Sequence, residues 1–245
     1  MNPSTRATAT FAAATIIAVT GYLGSLYLAI GISGLIAVAA FGWPRLLRVY
    51  RRRVSTVIIA VSGAIAVFAV GIGRIDPPYL RYVAPAAAAA VLLSLAAEVF
   101  FPSPPGRAIT SVTGMMSGAL VGVSASAWVA AARTPGAADL VVAGAAAIAI
   151  AGIASVVTRY STVNSLIALT LGTISGAVLG HLFSSISWAG GALVGVVGSA
   201  SVVIVTELAT REPAPRRAMA AIASGITPVL SAGVLVYLSG RLLVG

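Results

Sequence analysis

Apolar residues run along this chain in stretches of about 20, separated by short turns rich in arginine, proline and glycine, from one end to the other. A helix of that length spans about 30 Å, the thickness of a bilayer's hydrocarbon core. The runs do not alternate apolar and polar residues, so helices are predicted and a barrel is excluded. The first run carries no charge between Arg6 and Arg45, which is too long for one span and far beyond the apolar region of a signal peptide. It suits a tight hairpin, 8–25 and 27–43, turning near Tyr22 to Tyr27, because tyrosine prefers the interface to the bilayer centre. Further helices are expected at 54–73, 82–101, 108–132, 140–158, 163–182, 188–208 and 218–240, the last with Pro228 near its middle. The prediction is an all-α polytopic bundle of about nine helices in a single transmembrane domain over 1–245, or eight if the first run is one helix.

Composition agrees: the chain is 59% hydrophobic and 8% charged, with a mean hydropathy of +1.06, where a soluble domain carries roughly a quarter charged residues. The net charge of +10 is spread over short loops rather than one folded face, which argues against nucleic acid and for membrane topology. Arg45, Arg48, Arg51, Arg52 and Arg53 follow Trp43-Pro44 and set their loop on the cytoplasmic side, with a lipid-headgroup site as the alternative use of the same charges. From that anchor the N-terminus falls inside and the C-terminus outside. Eleven arginines are then inside and four, Arg74, Arg81, Arg133 and Arg241, outside. Trp43, Tyr50 and Tyr160 are expected at the inner interface, and Tyr22, Tyr27, Tyr79, Tyr82, Trp128, Trp188 and Tyr237 at or near the outer one.

One ordered pattern stands out within these runs. Gly114, Gly118 and Gly122 are spaced by four, and Gly172, Gly176 and Gly180 repeat that spacing with similar neighbours, Ser117-Gly118-Ala119 and Ser175-Gly176-Ala177. Residues four apart share a helix face, so each triplet forms a smooth stripe where another backbone can approach, the pattern of a glycine zipper. The match suggests a parallel hairpin repeat at 108–158 and 163–208, and repeats of this kind often hold a transporter's site at their interface.

Groups able to do chemistry are scarce. There is no cysteine, one histidine, His181, and five acids, with no spacing that would hold a metal. No catalytic residue, cofactor or metal is assigned. Asp76 and Asp139 belong to outer loops beside arginines. Glu98 and Glu207 alone fall within apolar spans, near inner helix ends, where an ionisable group is a functional candidate by default. Ion pairs of Glu98 with Arg107, and of Glu207 with Arg159 or Arg211, would make them structural; a proton or ion relay is the sharper alternative, with Glu98 the more sensitive group because a proline-rich turn follows it. Thr110, Thr113, Ser117, Ser124, Ser165, Thr173 and Ser175 give the striped helices hydroxyls, which either bond their own backbone or line a path.

At Glu98 and at Arg107-Ala-Ile-Thr-Ser-Val-Thr-Gly114 the chain resembles a loose family of uncharacterised multi-pass membrane proteins of high-GC Gram-positive bacteria, in which a Glu at a helix end precedes an Arg-rich turn and a similar helix start. Trp43-Pro44-Arg45 resembles that family's Gly-Trp-Pro motif, and the resemblance covers about 1–135. It implies a plasma-membrane location and no established activity.

Two functions follow. A permease-like transporter of a small or lipidic solute would place its site between the striped helices; a non-transporting scaffold would use the same faces to grip a membrane-protein partner or a second copy. Membrane lipids are partners in either case. Reporter fusions check the topology: one after Arg48 should register the inner side and one at Gly245 the outer, while the same side for both means an even number of crossings after Arg53.

Overall fold

In lipid every backbone N–H and C=O must find a partner within the chain, so apolar runs of this length become helices. The computed structural model describes residues 3–72, 80–134, 137–183, 185–211 and 217–244, and those residues form nine helices and no strand. They are α1 (Pro3–Leu23), α2 (Ser25–Leu46), α3 (Arg52–Ile72), α4 (Val83–Phe100), α5 (Ala108–Ala131), α6 (Ala137–Ala154), α7 (Ser161–Leu182), α8 (Trp188–Thr210) and α9 (Ala218–Val244). The outer-loop segment from Arg74 to Tyr79, with Asp76, and the inner residues Glu212 and Arg216 lie outside the described residues.

Eight of these helices are long and apolar enough to cross a membrane, and α6 contributes a shorter apolar stretch, Ala138–Ala154. The first apolar run is two helices. It breaks at Gly24, whose φ of 126° and ψ of 166° form a corner that a residue with a side chain rarely adopts.

The helix ends group as the loop charges require. Arg45, Arg107 and Arg217 border one basin, and Arg6, Arg159 and Glu207 border a second recess. At the opposite end the Arg133 guanidinium donates to the carbonyls of Val70 (2.6 Å) and Gly71 (2.7 Å), closing the end of α3, and Ser185 donates to Asp139. The arginine-rich end is called inner below.

The centre belongs to α9, of whose apolar span 72% is buried. It is packed by α1, α2 and α5 on one side and by α6 and α8 on the other, while α3 and α4 flank α5 and α7 lies outside α6 and α8. Association of helices in lipid relies on close fit and interhelical hydrogen bonds, since lipid tails are as apolar as leucine. Both are present around α9. Gly42 of α2 sits against the Met219 carbonyl and the Ala223 methyl, Gly225 sits against the Arg6 carbonyl of α1, and Thr10 donates to the Gly225 carbonyl at 2.7 Å. On the α5 side, Ser124 donates to Ser231 at 3.0 Å and the Trp128 indole to Val229 at 2.9 Å.

Two of the aromatics expected at or near the outer interface are enclosed by neighbouring helices. Trp128 is 0% exposed and Tyr237 4%, both within the main core. The Trp128 N–H is satisfied inside the bundle by the Val229 carbonyl, next to Pro228 in α9.

The glycine triplets meet different neighbours. A Cβ at Gly176 would collide with the Gly191 carbonyl and lie 2.8 Å from the Gly195 Cα, and one at Gly180 would lie 2.7 Å from the Ser187 carbonyl. Here α7 and α8 touch backbone to backbone. In α5 the same spacing instead holds side chains: Gly118 faces Ile59 and the Trp43 ring, Gly114 faces Val49, and Gly122 alone approaches a backbone, where an added Cβ would lie 3.4 Å from the Gly63 Cα. Trp43 donates its indole N–H to the Gly114 carbonyl at 2.9 Å.

Substitution separates these contacts. Leucine at Gly176 must push two backbones apart, an overpacking cost of roughly 2 kcal/mol or more, so Gly176→Leu should lower the Tm in detergent by about 5 °C or more. Gly34 faces open space, and Gly34→Ala should leave the Tm unchanged or slightly raised. Equal Tm values for the two variants would remove the close α7–α8 contact from the account.

Candidate functional site

The two striped helices do not meet: α5 packs on α2, α3, α4, α6 and α9, and α7 on α6 and α8. A site between α5 and α7 is therefore excluded in this structure, because each stripe is filled by a different neighbour. The ionisable groups gather elsewhere, at the inner end.

Glu98 lies near the end of α4, beyond which Phe101 leaves the helix and Pro102 prevents its continuing. Its carboxylate accepts the Ser103 backbone N–H at 2.7 Å and the Ser103 hydroxyl at 3.0 Å. The expected pair with Arg107 is not formed; the turn from Phe101 to Gly106 folds Ser103 back onto the carboxylate first. Glu98 thus ties a turn, and Arg51 braces the same turn by donating to the Pro102 carbonyl at 3.2 Å.

Glu207 has different surroundings. It accepts from Ser165 of α7 at 2.8 Å, a bond between the two glycine-packed helices, and pairs with no arginine among the described residues. It borders a recess of about 220 Å³ enclosed by α1, α6, α7 and α8, to which Arg6, Arg159, Ser161, Asn164 and Thr206 also contribute. Asn164, 8% exposed, holds the recess in shape. Its Oδ1 accepts from the Thr158 N–H (2.7 Å) and hydroxyl (2.8 Å), and its Nδ2 donates to the Thr158 carbonyl (2.9 Å), fixing the connection from α6 to α7. Upward, the recess stops at Ser165 and Val203, above which Ala168 of α7 and Val202 of α8 are buried.

Most of the other hydroxyls are spent locally. Thr113, Ser117, Thr173 and Ser175 bond carbonyls of their own helix, leaving Ser124 and Ser165 as the members of the set that cross to another helix. His181 is exposed in the last turn of α7.

The second inner feature is a basin of about 970 Å³. The connection between α2 and α3 brings Arg45, Arg48, Arg51, Arg52 and Arg53 to it, the α4–α5 turn brings Arg107, and the start of α9 brings Arg217. No acid lines it among the described residues. The guanidinium groups of Arg48, Arg52, Arg53, Arg107 and Arg217 donate to no described protein acceptor, so their hydrogen-bonding capacity faces the basin and the water beyond.

Sequence reasoning singled out both glutamates and the loop arginines but not Arg6, Asn164 and Arg217 as their companions. Those three come from distant segments, and no local spacing marks them. Comparison with protein-family models, curated proteins and solved structures finds no match, so function is argued from these two sites.

Proposed function

We propose that this integral membrane protein is a permease-like transporter of a small or lipidic solute in the plasma membrane, with Glu207 as its ion- or proton-handling group. The observation that carries the reading is the recess at Glu207: a carboxylate within an apolar span that faces a recess bordered by Arg6, Arg159 and several hydroxyls, open to the inner end and closed about one turn above, where Ala168 and Val202 are buried. Its one hydrogen bond joins α7 to α8. The ionised carboxylate of Glu207 accepts from the Ser165 hydroxyl; a bound proton would give it a donor and a bound cation would compete with Ser165 for its oxygens, and either would change the tie between the helices. Arg6 and Arg159 at the rim would draw an anion or balance the carboxylate.

Glu98 has the opposite character, a carboxylate spent on the backbone and hydroxyl of a nearby turn. The order of sensitivity inferred from sequence is therefore reversed in this proposal. A second reading, the non-transporting scaffold, is favoured by the filled middle of the bundle, where Trp128, Ile148, Val229 and Leu230 are all fully buried.

Rescue of a deletion strain separates the two, with abundance in the membrane fraction checked for each variant. Glu207→Gln should reach normal abundance and fail to rescue. Glu98→Gln should rescue fully, since the amide oxygen still accepts from Ser103 at a cost of about 1 kcal/mol. Full rescue by both variants at normal abundance ends the relay and leaves the scaffold reading ahead.

A further inference from the structure

The arginine basin does not stand alone. Arg53, Val54 and Phe101, which line it, also line the head of a groove of about 520 Å³ between α3 and α4. Below Arg53 this groove is apolar, walled by Val57 and Ile58 of α3 and by Leu93, Ala96 and Phe100 of α4. From Phe101 to Leu93 it runs eight residues along α4, about 12 Å, against about 15 Å for the hydrocarbon of one leaflet. A polyvalent cationic basin at the inner interface thus opens onto an apolar channel of nearly one leaflet's depth. The occupant complementary to both parts is an amphiphile with an anionic phosphate head and an acyl tail.

A second, independent observation concerns Arg48. It has φ of 54°, and Val49 donates to the Pro44 carbonyl at 2.9 Å, so Arg48 occupies the left-handed position that closes the end of α2. Glycine is the usual residue there, and an arginine is strained. The fold does not need arginine at this point, whereas the basin uses its charge.

We propose that the basin and groove form a binding site for an anionic phospholipid of the inner leaflet, its phosphate held by Arg48, Arg52, Arg53 and Arg107 and its acyl chain lying between α3 and α4. This site is separate from the Glu207 recess and stands or falls without it.

The test uses the purified full-length protein in an uncharged detergent, titrated with dioleoyl phosphatidic acid while Tm is followed. A saturable rise in Tm is expected, with a much smaller one from dioleoyl phosphatidylcholine, which has the same tails and a neutralised head. Arg48→Gly should keep or raise the lipid-free Tm and bind phosphatidic acid about fivefold more weakly, the effect of one interfacial charge. Ala96→Phe, which fills the groove and leaves every arginine in place, should weaken phosphatidic acid in the same way. Equal shifts from phosphatidylcholine, or wild-type affinity in Arg48→Gly, would overturn the site. A full shift from inorganic phosphate alone would overturn the lipid in favour of a free anion.

Discussion

The bundle depends on helix backbones approaching more closely than ordinary side chains allow. In water a helix pair gains by hiding apolar surface, but here lipid offers the same apolar contact, so fit and interhelical hydrogen bonds must supply the preference. Small residues are set where that approach occurs: Gly176 and Gly180 against Gly191 and Ser187, Gly42 and Gly225 around α9, and Gly122 against Gly63. Hydrogen bonds then lock the pairs whose register matters, as with Trp128 to Val229 and Thr10 to Gly225. Remove the small residues and α9 cannot sit among its five neighbours at these distances.

The hydrophobic runs and the arginine asymmetry carried the helix count, the hairpin and the grouping of loops at each end, because those features are set by one solvent acting on one segment at a time. Gly24 shows the limit of that information: the aromatics on either side marked a turn, and its unusual φ confirmed one. What each stripe meets is not set by the stripe alone. Gly118 and Gly176 look alike in sequence, yet one receives the Trp43 ring and the other a backbone. The partner stripe Ser187, Gly191, Gly195 and Ser199 was in the sequence at the same four-residue spacing and was the available signal for the α7–α8 contact. Trp128 and Tyr237 were assigned to the interface by a rule about solvent, and that rule could not show that neighbouring helices enclose both or that a backbone carbonyl takes the Trp128 N–H.

Electrostatics shows the same division. That loop arginines belong on one side follows from composition alone, but that three loops should bring seven of them around one basin does not. Like charges held together with no described carboxylate among them repel, and the bundle tolerates this because the basin opens to water, where a unit pair at a few ångströms costs only about 1 kcal/mol. The two glutamates go the other way: each had an arginine nearby in sequence and each is bonded to a serine instead. A hydroxyl within reach of a short turn or a facing helix is a cheaper partner than a long side chain that must leave water.

These contacts also decide which part of the bundle is able to move. The α5–α9 pair is held by two side-chain hydrogen bonds, that of Trp128 buried and that of Ser124 partly so, and Arg133 joins the outer ends of α3 and α5, so separating these helices breaks at least one polar contact with no water to replace it. Between α7 and α8 the contact is glycine on glycine, with few protruding side chains to interlock, and the polar tie at its inner end is the single bond from Ser165 to Glu207. Smooth faces of that kind resist separation through dispersion but offer little resistance to sliding. α7 also packs on two neighbours where α9 packs on five. The motion that costs least in this part of the bundle is therefore a shear of α7 along α8, and it would break the bond from Ser165 to Glu207.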